Sequence, residues 1–155
     1  MTVLIIICAV GTAAAGGALF TFSNFTMEGL KRLPPAQGIA AMQSINRAAP
    51  SPLFMLLLFG TGAACLGMML LAGMHLEQPG SSLRLSAGGI YIASVIVTTI
   101  TYHVPRNNRL DRVDPDSAEG AGCWEVYQRE WIPMNHIRSL APLASAALIA
   151  FSLTC

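Results

Sequence analysis

PLFMLLLFGTGAACLGMMLLAGM, residues 52–74, is a run of 23 residues without an Asp, Glu, Lys or Arg. A helix needs about 20 mostly apolar residues to cross roughly 30 Å of hydrocarbon, so this one stretch already reads as a membrane span. Outward from it, residues 1–27, 85–105 and 139–155 are equally free of charge. The 155 residues include 9 Lys and Arg and 8 Asp and Glu, and all of these lie in three windows, Glu28–Arg47, Glu77–Arg84 and Arg106–Arg138. Charged residues make up 11% of the chain, against about 25% in a soluble domain, which needs charge on the outer face of nearly every element. The distribution excludes a water-soluble globule, and the hydrophobicity excludes disorder. A net charge of +1 without a basic stripe argues against nucleic acid as a partner.

The expected fold is all-α, a four-transmembrane-helix bundle forming a single integral membrane domain over residues 1–155. Its spans are placed at about 3–25, 52–74, 85–104 and 137–153, the last and shortest recruiting Asn135 and His136 as an interfacial first turn. Val95–Thr101 would read as a strand in water, but a lone strand in lipid leaves its backbone unsatisfied, so helix is the better reading. Ala13-Ala14-Ala15 resembles a signal cleavage site. The stretch lacks a positive start and continues through Phe20, Phe22 and Phe25, so it is read as a mature span. Lys31, Arg32, Arg47, Arg106, Arg109, Arg112, Arg129 and Arg138 share one side, against Arg84 alone on the other. The excess places the termini outside and the large first and third loops in the cytoplasm.

Both loops predict short interfacial or amphipathic helices. In the first, Pro35 opens a helix carrying Ile39, Met42 and Ile45 at helical spacing, and Pro50 and Pro52 end it. In the third, Trp124, Tyr127, Trp131, Asn135 and Arg138 recur every three or four residues, with Pro133 as a kink. Trp and Tyr favour the membrane interface, so a helix lying on the surface is the plain structural reading. Ala13 and Gly17, Gly60 and Ala64, and Ala146 and Ala150 sit four apart, a spacing for close helix approach. Packing within the bundle is preferred to a homo-oligomer seam. Cys8, Cys65, Cys123 and Cys155 form no CxxC pair; Cys8 and Cys155 fall toward one face, where a bridge is conceivable.

Polar residues inside the spans converge. Thr21, Asn24 and Glu28 share a face of the first helix, and Tyr91, Ser94, Thr98 and Thr101 make a stripe on the third, with His103 beyond. Gln43, Asn46 and Arg47 precede the second span, and Asn135, His136 and Arg138 the fourth. The topology puts these groups in one half of one leaflet. Polar groups in lipid are costly and tend to be functional or mutually paired. A polar-ended cavity covered by the aromatic helix is therefore weighed against a network that only holds the helices together.

The motifs resemble a known family. Asn24-Phe25-Thr26-Met27, Leu33-Pro34-Pro35-Ala36 and Met42-Gln43-Ser44-Ile45-Asn46 look like the first half of the anthrone-oxygenase-like family of small four-span membrane proteins. Val104-Pro105-Arg106-Asn107-Asn108-Arg109-Leu110, Trp124, Tyr127, Trp131 and Asn135-His136-Ile137-Arg138 match its second half. Glu28-Gly29 and His103 depart from the pattern, where Pro-Ala and Asn are usual.

The resemblance implies oxidation of an apolar aromatic, an anthrone-type polyphenol, by O2 in the lipid bilayer. Such chemistry needs a base, donors for an enolate oxygen and a flat apolar slot. His136 is the expected base. Asn135, Asn107 and Arg138 are the expected donors. Phe25, Trp124 and Trp131 supply the slot, with Asn24, Glu28, Asn46 and His103 completing substrate binding. No flavin or nicotinamide motif is present, so no cofactor is expected. Two rivals stand beside this reading: a copper or iron oxidase using His103 and His136, and a non-enzymatic membrane subunit or lipophile-binding protein.

Overall fold

The computed structural model describes all residues, Met1–Cys155. It is all-helical and has no strand. Five continuous helices follow one another: α1 Thr2–Lys31, α2 Pro35–Ala48, α3 Pro52–Met74, α4 Ser81–Leu110 and α5 Ala118–Phe151. Three of them, α1, α3 and α4, are long and apolar enough to cross a membrane. Their starts follow local chemistry. Pro35 and Pro52 occupy first-turn positions where no N–H is required. The Ser117 hydroxyl caps α5 by accepting from Gly120 N at 2.9 Å.

Two expectations are corrected. The aromatic segment of the third loop is not a separate helix on the surface: it forms the first half of the 34-residue α5, which passes through Pro133 and Pro142 without ending. Its Trp124, Tyr127 and Trp131 are buried, because α2 lies across them and gives the rings an apolar partner better than the interface. The helix that carries the third span likewise does not end at Val104 but continues to Leu110, carrying Asn107 with it.

α1 packs along α5, and α4 packs against α3 and α5. The close approach of α1 to α5 falls at Gly16, where an added Cβ would lie 3.1 Å from the Ser139 carbonyl oxygen. The spaced pair Ala13 and Gly17 is exposed instead. One apolar cluster, including Ile5, Leu19, Leu58, Met68, Tyr91 and Val95, fills the bundle. A second, including Met27, Ile39, Met42, Leu110, Trp124 and Trp131, joins α2 to the polar ends of the long helices. All four cysteines are free; Cys8 is fully buried and Cys155 exposed, so the two do not form the bridge considered for them.

At the opposite end, buried Arg84 donates from Nε to Ser152 Oγ at 3.2 Å and from Nη2 to the Ser152 carbonyl at 3.0 Å. A cation is thereby set against the C-terminus of α5, where helix carbonyls lack partners. The preceding Gly80 has φ +78°, and a Cβ there would lie 2.6 Å from the Ser152 oxygen. Gly80→Ala should therefore lower stability by at least about 1–2 kcal/mol from the left-handed backbone alone. Gly17→Ala, with open space around it, should change stability by no more than about 0.5 kcal/mol. Thermal unfolding of the two variants in detergent micelles measures the contrast.

Candidate functional site

Four wide π-turns interrupt the long helices, at Phe22–Thr26, Leu56–Gly60, Ile92–Val97 and Thr99–His103. Such turns add a residue to the helix and reset which face each later side chain occupies. The last of them turns His103 inward, 1% exposed, from α4. His103 lines a cavity of about 290 Å3 together with Asn46 and Met42 of α2, Asn107 and Thr99 of α4, and Trp131 and Arg138 of α5. Leu19, Phe22, Phe54, Leu58 and Phe59 supply apolar walls. The volume lies at the small end of the roughly 300–1,000 Å3 typical of ligand pockets.

Arg138 is the main charge of the cavity. It is buried and makes no ion pair with any carboxylate. Its Nε and Nη2 donate to Asn135 Oδ1 at 3.0 and 2.7 Å, and Nη1 donates to Thr99 Oγ1 at 3.2 Å. Asn135, fully buried, in turn donates from Nδ2 to the Leu19 carbonyl at 3.1 Å and to Ser23 Oγ at 2.8 Å. Ser23 reaches Ser139 Oγ at 3.3 Å. The guanidinium is thus oriented by dipoles, with no carboxylate within ion-pair distance.

Trp131 lines the cavity and begins an aromatic stack that runs behind it. Trp124, Tyr127 and Trp131 stack in series, with ring centroids 5.6 and 5.8 Å apart. The His103 ring stands edge-on to Trp131 at 5.1 Å, and the Arg138 guanidinium lies 5.5 Å from the Trp131 centroid. Asn107 Oδ1 accepts from Tyr127 Oη at 2.9 Å and from Trp131 Nε1 at 3.0 Å. Burial raises the pKa of the Tyr127 phenol, so it remains protonated and keeps donating. Two donors on one oxygen settle the amide orientation, leaving Asn107 Nδ2 as a free donor in the cavity. Both nitrogens of His103 are buried without a hydrogen-bond partner. Buried polar atoms are seldom left so. An unpartnered imidazole thus shares the cavity lining with a guanidinium and an amide that carries a free N–H.

The structure therefore brings together Asn46, His103, Asn107, Trp131 and Arg138, with Asn135 directly behind Arg138. It does not bring in His136, which is exposed. Asn135 and His136 are one residue apart, about 100° around a helix, so when Asn135 faces in, His136 faces out. Asn24 and Phe25 are exposed, and Glu28 is exposed beside Arg32, with 3.7 Å between their charged groups. The π-turn at Phe22–Thr26 rotates that face away and turns Ser23 inward. Trp124 is buried beneath Gly38 and does not line the cavity. The paired metal site of His103 and His136 is not formed, and no group of three His, Cys, Asp or Glu side chains is placed to hold an ion. Thr99, Asp111 and Ser23 are residues of the site that the sequence did not single out. Asp111 stands at the polar mouth, where Asn46 Nδ2 donates to its Oδ1 at 3.4 Å.

Residues 42–148 match the family model described as Anthrone oxygenase. The chain belongs to the anthrone oxygenase family. The match spans every residue of the cavity network from Asn46 to Arg138, apart from the α1 contributions of Leu19, Phe22 and Ser23. No curated protein and no solved structure matches the chain. Within this family member, Asn107→Ala should orphan the Tyr127 hydroxyl and the Trp131 N–H and cost about 2–3 kcal/mol. Asn107→Asp, which retains the acceptor, should recover most of that loss in the same unfolding experiment.

Proposed function

We propose that this anthrone oxygenase family member oxidises an apolar aromatic of anthrone type with O2, inside the membrane and without flavin, nicotinamide or metal. The observation that carries the reading is His103, whose two buried nitrogens have no hydrogen-bond partner and whose ring lines the same cavity as Arg138. An anthrone has an acidic CH2 between two aryl rings, opposite a ketone. His103 takes one CH2 proton, and the charge passes to the ketone oxygen, where Arg138 and Asn107 Nδ2 stabilise the enolate. The electron-rich enolate gives one electron to O2, and the two radicals join as a peroxide at the former CH2 carbon. Loss of the second proton from that carbon, with cleavage of the O–O bond, leaves a quinone carbonyl and releases water. One substrate and one O2 thus become one quinone and one water, so no external reductant is needed.

His103 replaces His136 as base in this proposal because only His103 lines the cavity. Trp131 and the apolar walls provide the slot for a flat tricycle, and the bilayer concentrates both substrate and oxygen. The apolar second half of α5 serves as a fourth span, and the basic first and third loops face the cytoplasm.

Protein in lipid nanodiscs, supplied with an anthrone under air, should form quinone measurable by absorbance. His103→Ala and Arg138→Gln should each lower the rate about 100-fold or more, whereas His136→Ala should stay within twofold. Full activity in a folded His103→Ala protein would refute the assignment.

A further inference from the structure

A second depression lies on the outside of the molecule, where the end of α4 meets the start of α5. It is a groove of about 820 Å3 and shares only Asn108 with the cavity. Arg109, in the last turn of α4, and Arg112, one turn further on, stand on its wall. The Arg112 N–H donates to the Arg109 carbonyl at 3.3 Å, which keeps the two side chains on consecutive turns. Both are exposed and neither pairs with a carboxylate. Their neighbour Arg106 is different: it donates to Glu130 at 2.8 Å and lies 3.5 Å from the Tyr102 ring centroid. The floor is apolar, made by Val113, Cys123 and Val126, and Gly122 leaves open space beside it. Glu119 is the one carboxylate on the lip, so the groove keeps a net charge of +1.

We propose that this groove binds the phosphate headgroup of an anionic phospholipid. Arg109 and Arg112 follow directly on the uncharged stretch 85–105, so they stand where a membrane span gives way to headgroups. Guanidinium groups offer forked donors that match phosphate oxygens, and the apolar floor beside them accepts the glycerol and first acyl carbons. A free anion in water would use the two arginines but gain nothing from that floor. Basic pockets between helices at a membrane surface are suited to acidic lipid heads. The inference does not depend on the proposed reaction, because the groove and the cavity are separate.

The test is equilibrium binding of phosphatidylglycerol against phosphatidylcholine to the full chain in detergent micelles, followed by native mass spectrometry. Wild type should prefer phosphatidylglycerol, and Arg109→Gln with Arg112→Gln should weaken that preference about tenfold or more. Glu119→Gln should strengthen it. Arg47→Gln, an exposed arginine outside the groove, should leave it unchanged. Should the double variant fail to fold, Arg112→Gln alone, beyond the end of α4, should still weaken the preference. An unchanged preference in the folded arginine variants would overturn the proposal. So would an equal loss in Arg47→Gln, which would mean diffuse charge, or displacement of the lipid by inorganic phosphate, which would mean a soluble-anion site.

Discussion

A guanidinium held inside an apolar bundle with no anion beside it must be surrounded by fixed dipoles, and at Arg138 that requirement draws three helices to one point. Asn135 supplies the acceptor for Arg138 from the preceding turn of α5, and its own N–H bonds reach the Leu19 carbonyl and Ser23 of α1. Thr99 of α4 takes a third guanidinium bond. Desolvating a lone charge is costly; the arrangement offsets the cost with neutral acceptors and leaves the charge available. A carboxylate in place of Asn135 would hold the bundle equally well but would cancel the field in the cavity. The neutrality of Asn135 is therefore what keeps Arg138 out of a structural ion pair.

The wide turns are the second constraint. Tyr91 Oη donates to the Leu58 carbonyl at 2.9 Å, within the π-turn Leu56–Gly60. The Leu19 carbonyl accepts from Asn135 just before the π-turn of α1. These two inter-helix bonds use carbonyls at or beside places where the regular ladder is disturbed. In a membrane, where backbone groups must be satisfied within the protein, such bonds convert a local irregularity into helix contact. The same turns carry His103 and Ser23 inward.

Much of this was legible in the chain. The charge-free stretches mark the long helices, Pro35 marks the start of α2, and the three- and four-residue spacing from Trp124 to Arg138 places the rings, Asn135 and Arg138 on one face. That spacing alone reads as an interfacial helix, because the α2 partner that buries the rings is a tertiary fact. The motifs around Asn46, Asn107 and Asn135 point to the end of the bundle where the cavity lies. His136 has the chemistry of a base, but the periodicity that puts Asn135 and Arg138 inside turns it outward. Asn24, Phe25 and Glu28 were misplaced for a different reason: a regular period of 3.6 residues cannot register the extra residue of a π-turn. Thr98 and Thr101 bond back to the Ser94 and Val97 carbonyls of their own helix, as hydroxyls in apolar helices often do; Thr99, between them, reaches Arg138 instead. No spacing rule distinguishes those fates.

The central claim is that the cavity holds its aromatic ligand as an oxygen anion beside Arg138, with the proton on His103. The most direct measurement is the absorption spectrum of an anthrone mixed with the protein in nanodiscs at neutral pH under strict exclusion of oxygen. The account predicts an enolate band that rises to one equivalent per chain, is absent with Arg138→Gln, and is discharged to quinone when air is admitted. A ligand that binds with the same affinity yet keeps the spectrum of its keto form would contradict it.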